Sequence, residues 1–156
     1  VAQRFPRQVS VNLEPFVPKA HTPFQWEAAA DPATLKRRLR LAERGLRAKG
    51  VRVRSDSVEW AEVQGVLARG DERLARVLLA LRRPALSEWK AALHAAGMKM
   101  DEFTRQRKFE EALPWDVVES GVRPAFLTRL AEKAHEGNGS PACAGGKCTT
   151  CSVCGC

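Results

Sequence analysis

The first 142 residues of this 156-residue chain contain no cysteine. A network of disulfide bonds running through the fold is therefore excluded, and because no signal peptide is seen, the pattern favours a cytoplasmic protein. No apolar run is long enough to span a membrane. The chain also lacks a glycine-rich phosphate-binding loop and a serine or cysteine nucleophile paired with a base, so neither of those catalytic classes is indicated.

The chain starts at Val1 rather than at methionine, in what reads as the lead-in to a strand. We interpret it as a piece of a larger protein, long enough for one domain of ordinary size. The net charge of +8 makes polyanions such as RNA plausible partners. A solvated basic surface explains the same charge equally well.

All five cysteines lie within the last fourteen residues, spaced Cys-x4-Cys-x2-Cys-x2-Cys-x-Cys. Thiolates this close together can surround one metal centre. Structural zinc sites usually draw on two separated pairs, whereas nearly contiguous runs are typical of iron–sulfur clusters. We therefore predict an iron–sulfur cluster, with zinc as the alternative. Cys156 is spare, and the predicted ligands are Cys143, Cys148, Cys151 and Cys154.

Alternating apolar and polar residues predict a strand within residues 8–17, with Asn12 and Glu14 on its polar face. Prolines then end it, because proline cannot donate to a sheet. Residues 16–26 combine prolines with aromatic side chains, which predicts an ordered loop. Lys19 and His21 lie on this loop and could contact a ligand.

The remaining pattern is mainly helical. Asp31 and Pro32 predict the start of a helix that runs to about residue 49, with a buried stripe of leucines and an arginine-rich outer face. Residues 51–54 read as a short strand. Further helices are predicted with caps at Ser57, Asp71, Ser87 and Asp101, and a last helix over residues 124–136. The tryptophans and phenylalanines are assigned to the core.

Four stretches resemble one protein family in order along the chain. They are residues 9–12 (VSVN) leading into 16–26 (FVPKAHTPFQW), 65–71 (GVLARGD), 113–116 (LPWD) with 121–122 (GV), and the cysteine tail from 146 to 154. The chain resembles the C-terminal part of radical S-adenosylmethionine proteins that carry an N-terminal cobalamin-binding-type domain.

The resemblance implies a fold in three parts. Residues 1–30 would hold the last strand and loop of a radical S-adenosylmethionine (β/α) barrel, residues 31–136 a helical extension, and residues 137–156 a glycine-rich hinge with the metal-binding tail. It also implies reductive cleavage of S-adenosylmethionine by a [4Fe–4S] cluster. The family holds that cluster with Cys-x3-Cys-x2-Cys, a motif absent from this chain. We therefore expect no catalysis without the missing N-terminal barrel.

The resemblance also implies cofactor contacts. The final strand of such barrels commonly runs beside S-adenosylmethionine, which makes Asn12, Glu14 and Lys19 candidate cofactor-binding residues. Cobalamin belongs to the family as well, but this chain lacks a cobalamin-binding histidine motif. The tail resembles an auxiliary iron–sulfur site.

Two hypotheses follow. In the first, the chain is part of a radical S-adenosylmethionine enzyme, and residues 9–13 lack strand partners within it and expose apolar surface. In the second, it is a basic helical RNA-binding module with a structural zinc tail, a self-contained core and an exposed patch formed by Arg37, Arg38 and Arg40.

Overall fold

The structure is a computed structural model that describes residues 7–139. In this range it has two strands and six helices: β1 (Ser10–Leu13), α1 (Pro32–Arg47), β2 (Arg52–Ser55), α2 (Val58–Arg69), α3 (Leu74–Ala80), α4 (Leu86–Ala95), α5 (Met100–Thr104) and α6 (Pro124–His135). The mainly helical fold with one or two short strands is confirmed. The cysteine tail lies outside the described residues, and the barrel stays a prediction. None of the helices between residues 7 and 139 is long and apolar enough to cross a membrane.

The two strands form a parallel pair, with Ser10 opposite Arg52 and Leu13 opposite Ser55. Parallel strands need a crossover connection, and α1 supplies it. The expectation that residues 9–13 lack a strand partner within this chain is therefore wrong. The partner strand was visible in the sequence, but its pairing depends on where α1 packs, which no local pattern reveals.

Helix α1 begins as predicted and is covered less than predicted. The Asp31 carboxylate accepts a hydrogen bond from the Thr34 N–H at 2.9 Å, which lowers the pKa of Asp31. No residue of α1 is fully buried, since the stripe leucines Leu35, Leu39 and Leu46 keep some exposure and Ala42 is exposed. In the described part of the chain α1 packs mainly against β2 and α2.

The main core lies among α2, α3, α4 and α5. Its buried members are Val63, Val66, Leu74, Val77, Trp89, Leu93, Met98 and Phe103. Gly70 ends α2 at a point where a Cβ atom would lie 2.1 Å from a methyl group of Leu74. Only glycine fits there, and the close approach lets the chain turn directly from α2 towards α3.

Three of the predicted helix caps differ in the structure. Helix α3 begins at Leu74, and the Asp71 side chain does not cap it but accepts from the Arg73 N–H at 3.0 Å. Ser57 caps α2 through its bond from the Trp60 N–H, as predicted. Helix α4 begins one residue before Ser87, and α5 begins one residue before Asp101, so neither side chain caps its helix. Near the starts of α4 and α5, a glutamate accepts backbone hydrogen bonds instead. Glu88 accepts from the N–H groups of residues 82 and 83, and Glu102 accepts from that of residue 99.

A second core joins the loop over residues 16–26 to α6. It contains Trp26, Leu113, Trp115, Leu127 and Ala131. Not every aromatic residue is buried, however, contrary to the sequence expectation. Phe16 is 61% exposed, Phe24 40% and Trp60 43%. These three side chains form apolar surface near the carboxyl ends of the strands.

Arg69 is fully buried at the end of α2 and has no carboxylate partner in the described chain. Its guanidinium donates to the carbonyl oxygens of Glu27 at 2.5 Å and Arg105 at 2.8 Å. Burial, followed by repulsion from Arg107, lowers the pKa of Arg69 to about 10, so it remains charged at neutral pH. It thereby ties α2 to the loop after Trp26 and to the end of α5.

We expect Arg69→Met to lower the free energy of unfolding by about 3 kcal/mol, because it leaves buried carbonyl groups without their charged donor. Urea unfolding followed by tryptophan fluorescence measures this loss. The matched control is Arg76→Met on the exposed face of α3, which we expect to cost no more than about 0.5 kcal/mol. Equal losses in the two variants would contradict a linking role for Arg69.

Candidate functional site

The loop over residues 16–26 is organised around one buried amide. The Gln25 side chain is 3% exposed, and its Oε1 accepts from the indole N–H of Trp115 at 2.7 Å and from the backbone N–H of His21 at 2.9 Å. The Gln25 backbone N–H donates to the carbonyl of Thr22 at 3.0 Å. The aromatic-rich loop predicted from sequence is thus an ordered turn fixed to the 113–116 segment, 90 residues later.

His21 has a positive φ of 56°. This left-handed conformation is uncommon for residues other than glycine, and it persists where the surrounding structure holds it. Here the hydrogen bond to Gln25 holds it. The histidine predicted as a possible ligand contact therefore stands on a constrained backbone at the wall of a cleft.

Arg107 contacts both the end of this loop and the Trp115 ring. Its backbone N–H donates to the carbonyl of Trp26 at 2.8 Å, and its guanidinium lies 5.3 Å from the ring centre of Trp115. Trp26 in turn packs edge-to-face on Phe109, with ring centres 4.9 Å apart. No sequence pattern predicts that this arginine is buried, because arginine is usually exposed.

Two further stretches on which the sequence resemblance rests lie against the loop or the residue that follows it. Gly65 of the 65–71 stretch lies against Val17, since a Cβ atom there would be 3.7 Å from a Val17 methyl group. Arg69 of the same stretch bonds the carbonyl of Glu27. The 113–116 stretch reaches the loop through the Trp115 indole. Residues far apart in sequence thus build one structural unit.

A cleft of about 570 Å³ opens beside this unit, between the loop and the start of α6. Gln25, Trp26, Phe109, Leu113 and Leu127 supply its inner wall. Polar and charged side chains at the cleft include His21, Asp116, Glu119, Arg123 and Thr128. The volume falls in the range of small-molecule sites, which is roughly 300–1,000 Å³.

The predicted cofactor contacts fall elsewhere. Asn12 donates to the Glu14 carboxylate at 2.9 Å, so the structure brings these two together. Glu14 follows β1 and Asp56 follows β2, and both line a groove of about 360 Å³ at the carboxyl ends of the strands. Lys19 lies in a separate groove that shares Trp60 and Gln64 with the first. The carboxyl edge is where ligands bind in many parallel sheets, but a cofactor role for these residues stays a prediction.

The predicted metal ligands Cys143, Cys148, Cys151 and Cys154 lie outside the described residues. Within residues 7–139, no three histidine, cysteine, aspartate or glutamate side chains come together in a way that could hold a metal ion. Arg37, Arg38 and Arg40 are exposed on α1 and make no ion pair with another described residue. Lys36 next to them pairs with Glu59 at 2.5 Å.

Comparison with known proteins gives one partial match. An uncharacterized protein of Methanocaldococcus jannaschii is 33% identical over 72 residues, which are 46% of this chain and 16% of that protein. The match thus spans about a sixth of that relative's length. No protein-family model matches the chain, and no solved structure does. Because the relative is itself uncharacterized, the similarity assigns no activity.

Glu111 connects two arginines at the edge of the cleft. It accepts from Arg105 at 2.5 and 3.0 Å and from Arg107 at 3.1 Å. The hydrogen bond from Arg105 is the main reason that the pKa of Glu111 falls from 4.5 to about 2. The ionised form is therefore favoured in the fold more than in the unfolded chain.

The pKa of Glu111 is lower in the folded protein than in the unfolded chain. The ionised Glu111 carboxylate therefore stabilises the fold fully above pH 4.5, and this stabilisation is lost as the pH falls towards 2. The wild-type protein should lose unfolding free energy as the pH falls from 5.5 to 2.5. We expect Glu111→Gln to lose less over the same range, by up to about 1 kcal/mol after solvent screening. Urea unfolding at several pH values measures it. Glu110→Gln, on the exposed neighbour, should keep the wild-type slope. A wild-type slope in Glu111→Gln would contradict the assignment.

Proposed function

We propose that this chain is the C-terminal part of a cytoplasmic radical S-adenosylmethionine enzyme, with an auxiliary iron–sulfur cluster in its cysteine tail. The parent enzyme would cleave S-adenosylmethionine reductively and modify its substrate through a carbon radical. The N-terminal barrel would carry that chemistry and would bind S-adenosylmethionine against the carboxyl edge of β1. The observation that carries the proposal is the unpaired outer edge of β1.

The direction of the backbone groups defines that edge. The N–H groups of Arg52 and Asp56 donate to the carbonyls of Val9 and Leu13, at 2.9 and 3.0 Å. Backbone groups alternate in direction along a strand, so those of Ser10 and Asn12 point away from β2. Both residues are exposed, and their backbone groups bond to nothing in the described chain.

The outer edge of β2 is different. The carbonyl of Val53 points away from β1 and accepts from the Arg47 guanidinium at 3.3 Å. A charged side chain therefore covers this edge, which is a common way to prevent further pairing. The asymmetry supports a sheet that ends at β2 and continues beyond β1.

Parallel sheets of two strands are unfavourable alone, because such sheets occur almost only where both faces are covered. Here the apolar residues of β1 are only partly covered, and Phe16 beyond it is exposed. A barrel strand next to Ser10 and Asn12 would supply the missing hydrogen bonds. The RNA-binding module requires no further strand, so the open edge supports the enzyme, whereas the pairing of β1 with β2 within this chain was not expected of the enzyme. The exposed arginines of α1 are compatible with both.

The amides of β1 test the open edge. In this chain alone, we expect the N–H groups of Ser10 and Asn12 to exchange with solvent much faster than those of Val11 and Leu13, which point towards β2. In the longer protein that includes the proposed barrel, Ser10 and Asn12 should become at least about 100-fold more protected. Hydrogen exchange followed by NMR or mass spectrometry measures both. Unchanged rates in the longer protein would sink the proposed continuation of the sheet.

The cysteine tail can be tested in this chain. After anaerobic reconstitution with iron and sulfide, we expect a brown protein with about four iron and four sulfide per chain. Serine in place of Cys148, Cys151 or Cys154 should remove most of the visible absorption. Cys156→Ser is the matched control and should retain it, since Cys156 is the spare cysteine. Stoichiometric zinc in a colourless protein purified anaerobically, together with failure to take up iron, would refute the auxiliary cluster.

A further inference from the structure

The positive charge of this chain is concentrated on one helix. Helix α1 contains six lysines and arginines and a single acid, which gives it a net charge of +5. The whole chain has a net charge of +8. Most of the net charge therefore lies on 16 of the 156 residues.

The structure leaves most of these cations on the solvent side of α1. The acid, Glu43, is half-buried and accepts from the Ser55 hydroxyl, and the one lysine, Lys36, pairs with Glu59 at 2.5 Å. Four arginines are exposed, and their side chains form no ion pair or hydrogen bond with another described residue. They form the arginine face of α1: Arg37, Arg38, Arg40 and Arg44.

The arginines of this face repel one another. Arg37 and Arg40 are three residues apart, and Arg40 and Arg44 are four apart, which are the spacings of neighbouring side chains on a helix. Like charges at these spacings destabilise a helix, and a partner with a high density of negative charge would offset the repulsion. Phosphates suit arginine in particular, because a guanidinium can bind a phosphate with two parallel hydrogen bonds.

The composition of α1 favours a nucleic acid over an acidic membrane surface. A helix that binds membranes turns a broad apolar face outwards. On α1 the stripe leucines are partly covered by the fold, and Leu41 is the one large apolar residue that is exposed. The helix has no aromatic side chain on which a base could stack, so its contacts would be to phosphates.

We propose that the arginine face of α1 binds the phosphate backbone of a nucleic acid without reading its sequence. This inference goes beyond the proposed radical chemistry and does not depend on it, because all four arginines lie in the present chain. The binding can therefore be measured without the proposed barrel, and its failure would leave the enzyme proposal untouched.

A fluorescent oligouridine of about 20 nucleotides is a suitable probe, because it forms no duplex and its contacts are dominated by phosphates. We expect saturable binding to the full chain in anisotropy titrations, with log K falling linearly with log salt between about 50 and 200 mM. Oligothymidine of the same length tests the sugar, and similar binding of the two would support phosphate contacts. A preference for one would identify RNA or DNA as the partner. Binding to phosphatidylserine vesicles, with none to either oligonucleotide, would overturn the proposal.

A triple variant with glutamine in place of Arg37, Arg40 and Arg44 removes most of the face. Glutamine has a helix propensity close to that of arginine, so α1 should persist, and urea unfolding checks that it does. We expect oligouridine to bind at least about tenfold more weakly, and the slope of log K against log salt to become shallower by about 2. Lysine at the same three positions retains the charges and should retain the wild-type slope.

The matched control removes the same charge elsewhere. It carries glutamine in place of three exposed arginines outside α1, namely Arg76, Arg82 and Arg129. We expect this variant to lose no more than about threefold in affinity, because only the overall field of the chain is reduced. Equal weakening in the two glutamine variants would show that net charge alone attracts the probe, and would overturn the assignment to α1.

Discussion

The parallel pairing of β1 with β2 is the constraint on which the interpretation of this structure depends. It fixes which backbone groups of β1 face a partner and which do not, because alternate residues point to opposite sides. Backbone N–H and C=O groups need hydrogen-bond partners when they are buried. The groups at an open strand edge therefore either bond to water or pair with another strand. The two edges of this small sheet are treated differently. Arg47 covers the edge of β2, while the edge of β1 has no cover among the described residues.

The second organising feature is the burial of polar groups around the loop over residues 16–26. Gln25 bonds across to Trp115, Arg69 bonds to the carbonyl of Glu27, and the backbone of Arg107 bonds to Trp26. Each of these contacts joins segments that are distant in sequence. Breaking buried hydrogen bonds of this kind is costly, so they hold the loop in one conformation. The same contacts fix His21 and Gln25 in the wall of the cleft beside the loop.

The local features of the fold could be predicted from sequence, and the long-range ones could not. The start of α1 at Asp31 and Pro32, the cap at Ser57 and the last helix follow from residues that act within one helical turn. The burial of Arg69 and the pairing of β1 with β2 depend on segments about 35 to 45 residues away, and no periodicity encodes them. Trp60 was assigned to the core by its type, but it lies where the described chain offers it only partial cover. In the candidate site, His21 could be predicted because it lies on a loop rich in proline and aromatic residues. The buried role of Gln25 could not be predicted, because glutamine is ordinarily a surface residue.

The central proposal is that a further strand of a radical S-adenosylmethionine barrel pairs with the open edge of β1 in the longer protein. The most direct measurement is product analysis with a longer form of the protein that includes the proposed barrel, reconstituted with iron and sulfide and reduced with dithionite. The account predicts that this protein converts S-adenosylmethionine to 5′-deoxyadenosine and methionine, while the present chain treated in the same way does not. Absence of 5′-deoxyadenosine from a fully iron-loaded longer protein would contradict it.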